Sequence, residues 1–218
     1  MPTIVITGAN RGIGLQFARQ FSHDGWDVIA TARQSSAELD ALGVRVEALD
    51  LADADAVAAF PTKIGSPLDL VIANAGTNHP MNPDGPENAR DWQVMMMVNA
   101  IAPYQLGKAL LPKMAQGGKM IAISSGMGSI AENSGGWLPY RTSKAALNMA
   151  WSTLAIEAKS GGVTCVAVSP GWVKTRMGGS GAEITTEQSV GDMRQLIERL
   201  TIDDTGKFIR RNGSTIPW

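Results

Sequence analysis

Cysteine occurs once, at Cys165, and histidine only twice, at His23 and His79. A single thiol excludes an internal disulfide, and with two imidazoles it cannot build a thiolate-rich zinc site, so no metal is expected. Charge of one sign is equally scarce. Lys and Arg number 19 against 20 Asp and Glu, a net charge of -1, which leaves no basic field to hold nucleic acid or an anionic membrane. Long apolar runs are missing too: the longest uncharged stretch, Trp92 to Gly107, is broken by Gln93, Asn99 and Gln105 and is too short and too polar to span a bilayer. The opening MPTIVITG has no basic segment or cleavage site, so a cytoplasmic location is expected. What the chain does have is 44% hydrophobic residues in 218, enough for one sizeable core and too few for two full domains.

Glycine is the one excess, at 24 residues, and it clusters in short loops that follow apolar runs. Those runs are Thr3 to Thr7, Val28 to Ala32, Val44 to Leu49, Leu68 to Ala73, Met120 to Ser124 and Val163 to Ser169. They are short, β-branched or Ala-rich, and continuous, as strands buried on both faces are. Helical spacing separates them, at Ile13 to Phe21, Ala37 to Leu42, Ala54 to Phe60, Ala89 to Met114, Arg141 to Ala158 and Thr186 to Leu200. The alternation predicts an α/β fold: a doubly wound, mostly parallel sheet of about seven strands with helices on both faces. Ligands in such sheets bind beyond the carboxyl ends of the strands. The polar, Gly-rich stretch Met177 to Ser189 is the candidate for a lid.

After the first strand comes Thr7-Gly8-Ala9-Asn10-Arg11-Gly12-Ile13-Gly14, where the chain must turn tightly, expose bare backbone and enter a helix whose N-terminus would face a pyrophosphate. After the fourth strand comes Ala73-Asn74-Ala75-Gly76. Further on stand Ser124-Ser125, Tyr140-Arg141-Thr142-Ser143-Lys144, and Ser169-Pro170-Gly171-Trp172-Val173-Lys174-Thr175. In this order the motifs resemble the short-chain dehydrogenase/reductase family nearly end to end. The runs SSGMGSIAENSGGWLPYRTSKAALNM, SPGWVKTRMGG and GKFIRRNGSTIPW are similar to the shorter carbonyl reductases of the sniffer and C-factor-like group. The resemblance implies a single NADP(H)-binding Rossmann domain over 1–218. Its cofactor residues would be Gly8, Asn10, Arg11, Gly12, Ile13, Gly14, Arg33, Asp50, Leu51, Asn74, Ala75, Gly76, Tyr140, Lys144, Pro170, Gly171, Val173 and Thr175. Asp50 could equally cap the following helix.

The same resemblance implies a catalytic set of Asn99, Ser125, Tyr140 and Lys144. Residues i and i+4 share a helix face, so Lys144 can approach the Tyr140 phenol and favour its phenolate form. The other tyrosine, Tyr104, also precedes a lysine by four, Lys108, but lies inside a long apolar helix and reads as a packing or surface residue. Ser125 matches the second Ser of the family pair, with Ser124 expected on the opposite strand face and Ser129 as fallback. Asn99 matches an asparagine that holds a relay water, or it solvates a bend. Met95 to Met97 and Cys165 read as core, and His79 as a solvated loop residue that could border the pocket. Trp137, Trp172 and Met177 are expected pocket walls.

An NAD enzyme places a carboxylate about 20 residues after the glycine turn to hold the ribose 2′-hydroxyl; here Ala32 stands at that place, followed by Arg33, and Arg11 lies in the turn. NADPH is therefore expected over NADH. The implied activity is reduction of an aldehyde or ketone, with a small-molecule carbonyl substrate and a homodimer or homotetramer built on the helices of Trp92 to Met114 and Arg141 to Ala158. An NADP(H)-binding signalling or redox-sensing protein of the same fold is the alternative, and the intact Ser-Tyr-Lys set speaks against it.

Overall fold

The sheet begins with β1, Thr3–Thr7, whose side chains alternate between two apolar layers: Ile4 and Ile6 join one and Val5 the other, all fully buried. The computed structural model describes residues 1–65, 67–78 and 88–218. The strands that follow are β2 Asp27–Ala32, β3 Arg45–Ala48, β4 Leu68–Ala73, β5 Met114–Ile123, β6 Thr164–Ser169 and β7 Phe208–Arg210. They form one seven-stranded parallel sheet in the order β3-β2-β1-β4-β5-β6-β7. The order reverses between β1 and β4, so a crevice opens beyond their carboxyl ends.

Among the described residues the α-helices are α1 Gly12–His23, α2 Ala37–Asp40, α3 Ala54–Ala59, α4 Ala89–Met96, α5 Ala102–Leu110, α6 Leu138–Ser160 and α7 Thr186–Arg199. Phe17 and Phe21 of α1, Leu39 of α2 and Val190, Met193 and Leu196 of α7 cover one face. Val57 of α3, Leu106 of α5 and Leu147, Trp151 and Leu154 of α6 cover the other. Local chemistry sets the helix ends. Asp53 accepts from Asp55 and Ala56 N–H, both at 3.0 Å, to start α3; Thr185 accepts from Gln188 N–H at 3.1 Å to start α7. Among the described residues no helix is long and apolar enough to cross a membrane.

Three expectations need correction. The stretch Ala89 to Met114 is not one helix. It divides into α4, a π turn at Met97–Ile101, α5 and a 3-10 turn at Leu111–Lys113, and Met114 already opens β5. Prolines at 103 and 112 cause this: Pro103 has no N–H to return to the carbonyl four residues back, which is that of Asn99, and the helix widens there. Asp50 does not cap α3. Asp53 does, while Asp50 accepts from Ala52 N–H at 2.9 Å within its own turn. The proposed lid is shorter than Met177 to Ser189, because Thr186 to Ser189 form the first turn of α7 and a bridge joins Val173 to Ile184. The short β7 stands outside the six strand runs of the sequence reading.

Candidate active site

Two loops are knotted together at the sheet's switch point. Thr7, buried at the end of β1, accepts at its Oγ1 from the N–H groups of Asn74 and Ala75, each at 3.0 Å. The Asn74 Nδ2 returns to the carbonyls of Thr7 at 2.9 Å and Gly8 at 3.2 Å. The turn between β1 and α1 is so tight that a Cβ on Gly14 would fall 2.3 Å from the Gly8 carbonyl oxygen, and Gly12 has φ of 57°. Gly12 faces Thr175 from the loop after β6, whose Cγ2 would stand 3.3 Å from a Cβ there. Helix α1 has no acidic residue in its first turn, and no side chain caps it, so its N-terminal N–H groups remain available for an anion. The half-buried Asn10 fixes the turn by donating to the Gln34 carbonyl at 3.1 Å.

Arg11 and Arg33 are both exposed, and among the described residues neither has an ion-pair partner. Bare backbone, uncapped N–H groups and two unpaired guanidiniums suit a phosphorylated dinucleotide. Leu51 is buried and Asp50 half-buried at the end of the third strand region. On the other border, the carbonyl of Pro170 accepts from Ser189 Oγ at 2.8 Å, Gly171 has φ of 82°, and Thr175 Oγ1 accepts from Gly178 N–H at 3.0 Å.

The chemistry-bearing residues meet beside this cradle. The Ser125 hydroxyl stands near enough to the Tyr140 phenol to lower its pKa, and the Lys144 Nζ lies 5.9 Å from the centre of the Tyr140 ring. Ser124 points the other way, as expected, donating to Asn148 Oδ1 at 2.6 Å in the core. Ser129 is engaged elsewhere, donating to the Pro217 carbonyl at 2.5 Å. Burial raises the Tyr140 pKa to about 12, against the smaller opposing effect of the Ser125 hydrogen bond. Desolvation is the larger influence on the phenol, and Lys144 is not among the causes of its shift. The same burial lowers Lys144 to about 8. Its ammonium donates to the Ile123 carbonyl at 2.8 Å.

Asn99 sits in the π turn, fully buried, and its side chain is spanned between two segments. Its Oδ1 accepts from Thr77 N–H at 2.7 Å, and its Nδ2 donates to the Thr77 carbonyl at 2.7 Å and Ser143 Oγ at 2.9 Å. Gly76 lies between Asn99 and Lys144: a Cβ there would stand 3.3 Å from Asn99 Oδ1 and 3.6 Å from Lys144 Nζ. Ser143 Oγ in turn donates to the Tyr140 carbonyl at 2.8 Å. The sequence reading assigned no role to Thr7 or Ser143, although each stands inside a motif it singled out. Tyr104 packs on the core, and its neighbour Lys108 pairs with Glu157. Trp137, Trp172 and Met177 are exposed near the chemical residues in sequence. Met95 and Cys165 are core, and burial pushes the Cys165 thiol to about 12. His79 lies outside the described residues.

At the opposite end of the sheet a cavity of about 380 Å³ is lined by Phe21, Trp26, Lys119 and Arg194. Its cations are already engaged, Lys119 with the carbonyls of Ile197 and Glu198, and Arg194 with Gln20 and Asp24.

A glycine turn at the switch point of a doubly wound sheet, with Ser, Tyr and Lys gathered next to it, defines a Rossmann-type oxidoreductase. The short chain dehydrogenase family model matches residues 2–184, and the chain belongs to that family. Among curated proteins it is 35% identical over 164 residues to the C-signal protein of Myxococcus xanthus, covering 73% of this chain and 99% of that one. It is 30% identical over 227 residues to 1-hydroxy-2-glutathionyl-2-methyl-3-butene dehydrogenase of a Rhodococcus species, covering both chains fully at 100%. Among solved structures, the carbonyl reductase Sniffer of D. melanogaster matches with a TM-score of 0.91 at 29% identity, over 100% of both chains. The NADPH-bound carbonyl reductase from chicken fatty liver matches with a TM-score of 0.90 at 32% identity, over 100% of this chain and 99% of that one.

Proposed function

We propose that the protein is an NADPH-dependent reductase of aldehydes or ketones, with 1–218 acting as one NADP(H)-binding domain. The observation that carries this is the Ser125 hydroxyl acting on the Tyr140 phenol beside the buried Lys144, whose Nζ would stand 3.6 Å from a Cβ on Gly76 in the loop after β4. When bound, the nicotinamide supplies the hydride for the carbonyl carbon.

Every other part of the reaction falls to the chain's own side chains. Tyr140, with its phenol held protonated across the neutral range, donates a proton to the oxygen that gains negative charge, and Ser125 orients that oxygen with a second hydrogen bond. A phenol with so high a pKa is slow to give up its proton unaided. Lys144 lowers that cost once it carries its charge at close range, and its pKa near 8 leaves it mostly protonated at neutral pH. Asn99 fixes the segment after β4 against α6; its Nδ2 hydrogens are both engaged, so any relay water meets its carbonyl or the free side of Oδ1. Gly8, Asn10, Arg11, Gly12, Ile13 and Gly14 would hold the pyrophosphate, with Arg33 and Arg11 at the 2′-phosphate. Asp50 and Leu51 would lie at the adenine, and Asn74, Ala75, Gly76, Pro170, Gly171, Val173 and Thr175 along the nicotinamide side. The intact Ser-Tyr-Lys set favours turnover over a purely nucleotide-sensing role.

Loss of nicotinamide absorbance against a panel of aldehydes and ketones tests the reading directly. Parent protein should oxidise NADPH with at least one carbonyl class, Tyr140→Phe should lose about 10²- to 10⁴-fold, and Tyr104→Phe should stay near parent. A dead Tyr104→Phe beside an active Tyr140→Phe would overturn the assignment.

A further inference from the structure

The chain enters the catalytic helix α6 through an unusual conformation. Gly135, Gly136 and Trp137 occupy the left-handed region in succession, with φ of 77°, 65° and 56°. Two glycines adopt it freely; a bulky aromatic does not, and Trp137 is the one non-glycine residue with positive φ among the described residues. Such a residue persists only where its surroundings hold it, and strain of this kind gathers at functional sites.

The hold is visible. Arg141, half-buried one turn into α6, donates from Nε to the carbonyls of Gly135 at 3.0 Å and Gly136 at 2.9 Å. Its Nη2 donates to Ser134 Oγ at 2.8 Å and its Nη1 to the Met127 carbonyl at 3.4 Å. One guanidinium thus gathers the two peptide groups before Trp137, a side chain of the same loop and the 3-10 turn that follows Ser125. The first half of the loop is secured separately. Ile130 and Ala131 N–H donate to the Trp218 carbonyl, and Glu132 pairs with Arg210 at 2.5 Å. Residues 133–137 also have local backbone ties, Asn133 N–H to the Ile130 carbonyl at 3.3 Å, Gly135 N–H to Asn133 Oδ1 at 3.0 Å and Arg141 N–H to the Trp137 carbonyl at 2.9 Å, but among the described residues it is the Arg141 guanidinium that joins this segment to the turn after Ser125.

The structure assigns Arg141 the role of a positioning residue: its guanidinium clamps the strained 134–137 segment to the Ser125 turn and thereby sets the Tyr140 phenol against the Ser125 hydroxyl. The residue touches neither hydroxyl. It acts on both from the position adjoining Tyr140, and the fork of donors that reaches several acceptors at once is specific to arginine. A lysine could satisfy one carbonyl but not the set.

This rests on Tyr140 and Ser125 acting as proposed above, and the test separates the two ideas. Arg141→Ala should lower kcat by about tenfold or more while NADPH affinity stays within about twofold, because the glycine cradle is elsewhere. Added guanidinium at millimolar levels should restore part of the lost kcat, and methylammonium should not, a response that general destabilisation does not give. Arg141→Lys should fall between parent and Arg141→Ala. Amide hydrogen exchange at residues 133–136 should quicken in Arg141→Ala in the absence of any substrate. A kcat within about twofold of an active parent, or exchange at 133–136 unchanged from parent, refutes the clamp. A parent without carbonyl turnover would overturn the reductase reading instead, and the exchange measurement would still decide the clamp.

Discussion

Replacing Lys144 by methionine should make the unliganded protein more stable while it abolishes catalysis. Lys144 is 4% exposed, and among the described residues no carboxylate pairs with it; its polar contact is the Ile123 carbonyl at 2.8 Å. Its pKa falls from 10.5 to about 8, which at about 1.4 kcal/mol per pH unit means that holding the charge inside costs roughly 3 kcal/mol at neutral pH. Methionine removes that cost and fills a similar volume. It also orphans the Ile123 carbonyl, at about 1–3 kcal/mol. The net gain is therefore of order 1 kcal/mol at pH 7, or about 2–4 °C in Tm.

The pH dependence is the sharper readout. Between the folded pKa near 8 and the unfolded 10.5, the unfolded chain binds the proton that the folded chain has released, so Lys144 makes the parent more stable as pH rises through this window. The advantage of Lys144→Met is then full below pH 8 and shrinks by roughly 3 kcal/mol as pH approaches 10.5. Tyr140 and Cys165, whose folded pKa values are raised, act in the opposite direction at high pH, yet both chains carry them and they cancel from the difference. Urea unfolding of both proteins from pH 7 to 10 without NADPH measures it. A stability difference that stays flat across that range would refute the reasoning, whatever its sign.

Arg33→Asp should erase or invert a preference for NADPH over NADH that two charge-assisted contacts put at about tenfold or more, read as a ratio of catalytic efficiencies; equal use of both by the parent would remove its basis. Thr7→Val should cost about 1–3 kcal/mol in urea unfolding. Ala75 N–H loses its acceptor, whereas Asn74 N–H keeps the Ile72 carbonyl at 3.0 Å. An unchanged midpoint would mean that the knot between the two loops is replaceable. Met149 and Ile156, on one face of α6 and 70% and 75% exposed, support pairing of copies through the long helices. Light scattering should give a dimer or tetramer mass; 23.0 kDa would contradict this.

Strand runs were legible because a parallel sheet buries both faces: Ile4 to Thr7, Val28 to Ala32 and Thr164 to Ser169 offer no polar alternation to misread. The chemical residues were legible through order along the chain, and the expected facing of Ser125 and Ser124 follows from strand alternation alone. The break in Ala89 to Met114 was not read, although Pro103 and Pro112 marked it, because apolar periodicity continues across a π turn that adds only part of a turn. Electrostatics was the least legible. Spacing places Lys144 near Tyr140, but burial, the largest influence on both groups, depends on packing that no local pattern encodes. The task of Arg141, the second residue of the Tyr140 to Lys144 motif, is not legible in the sequence, since its acceptors are mostly backbone carbonyls that leave no mark there.

The knot between Thr7 and Asn74 joins positions 67 apart in the chain. The sheet grows outward from β1 in two directions, with β2 and β3 on one side and β4 to β7 on the other. The cradle is thus a seam between an early and a late half of the polypeptide. A ribosome-bound fragment holding only the first three strands has the glycine turn but not the seam. Nucleotide capture therefore belongs to the completed chain, and a dinucleotide seated across the seam would act as a latch that penalises any opening that parts the two halves.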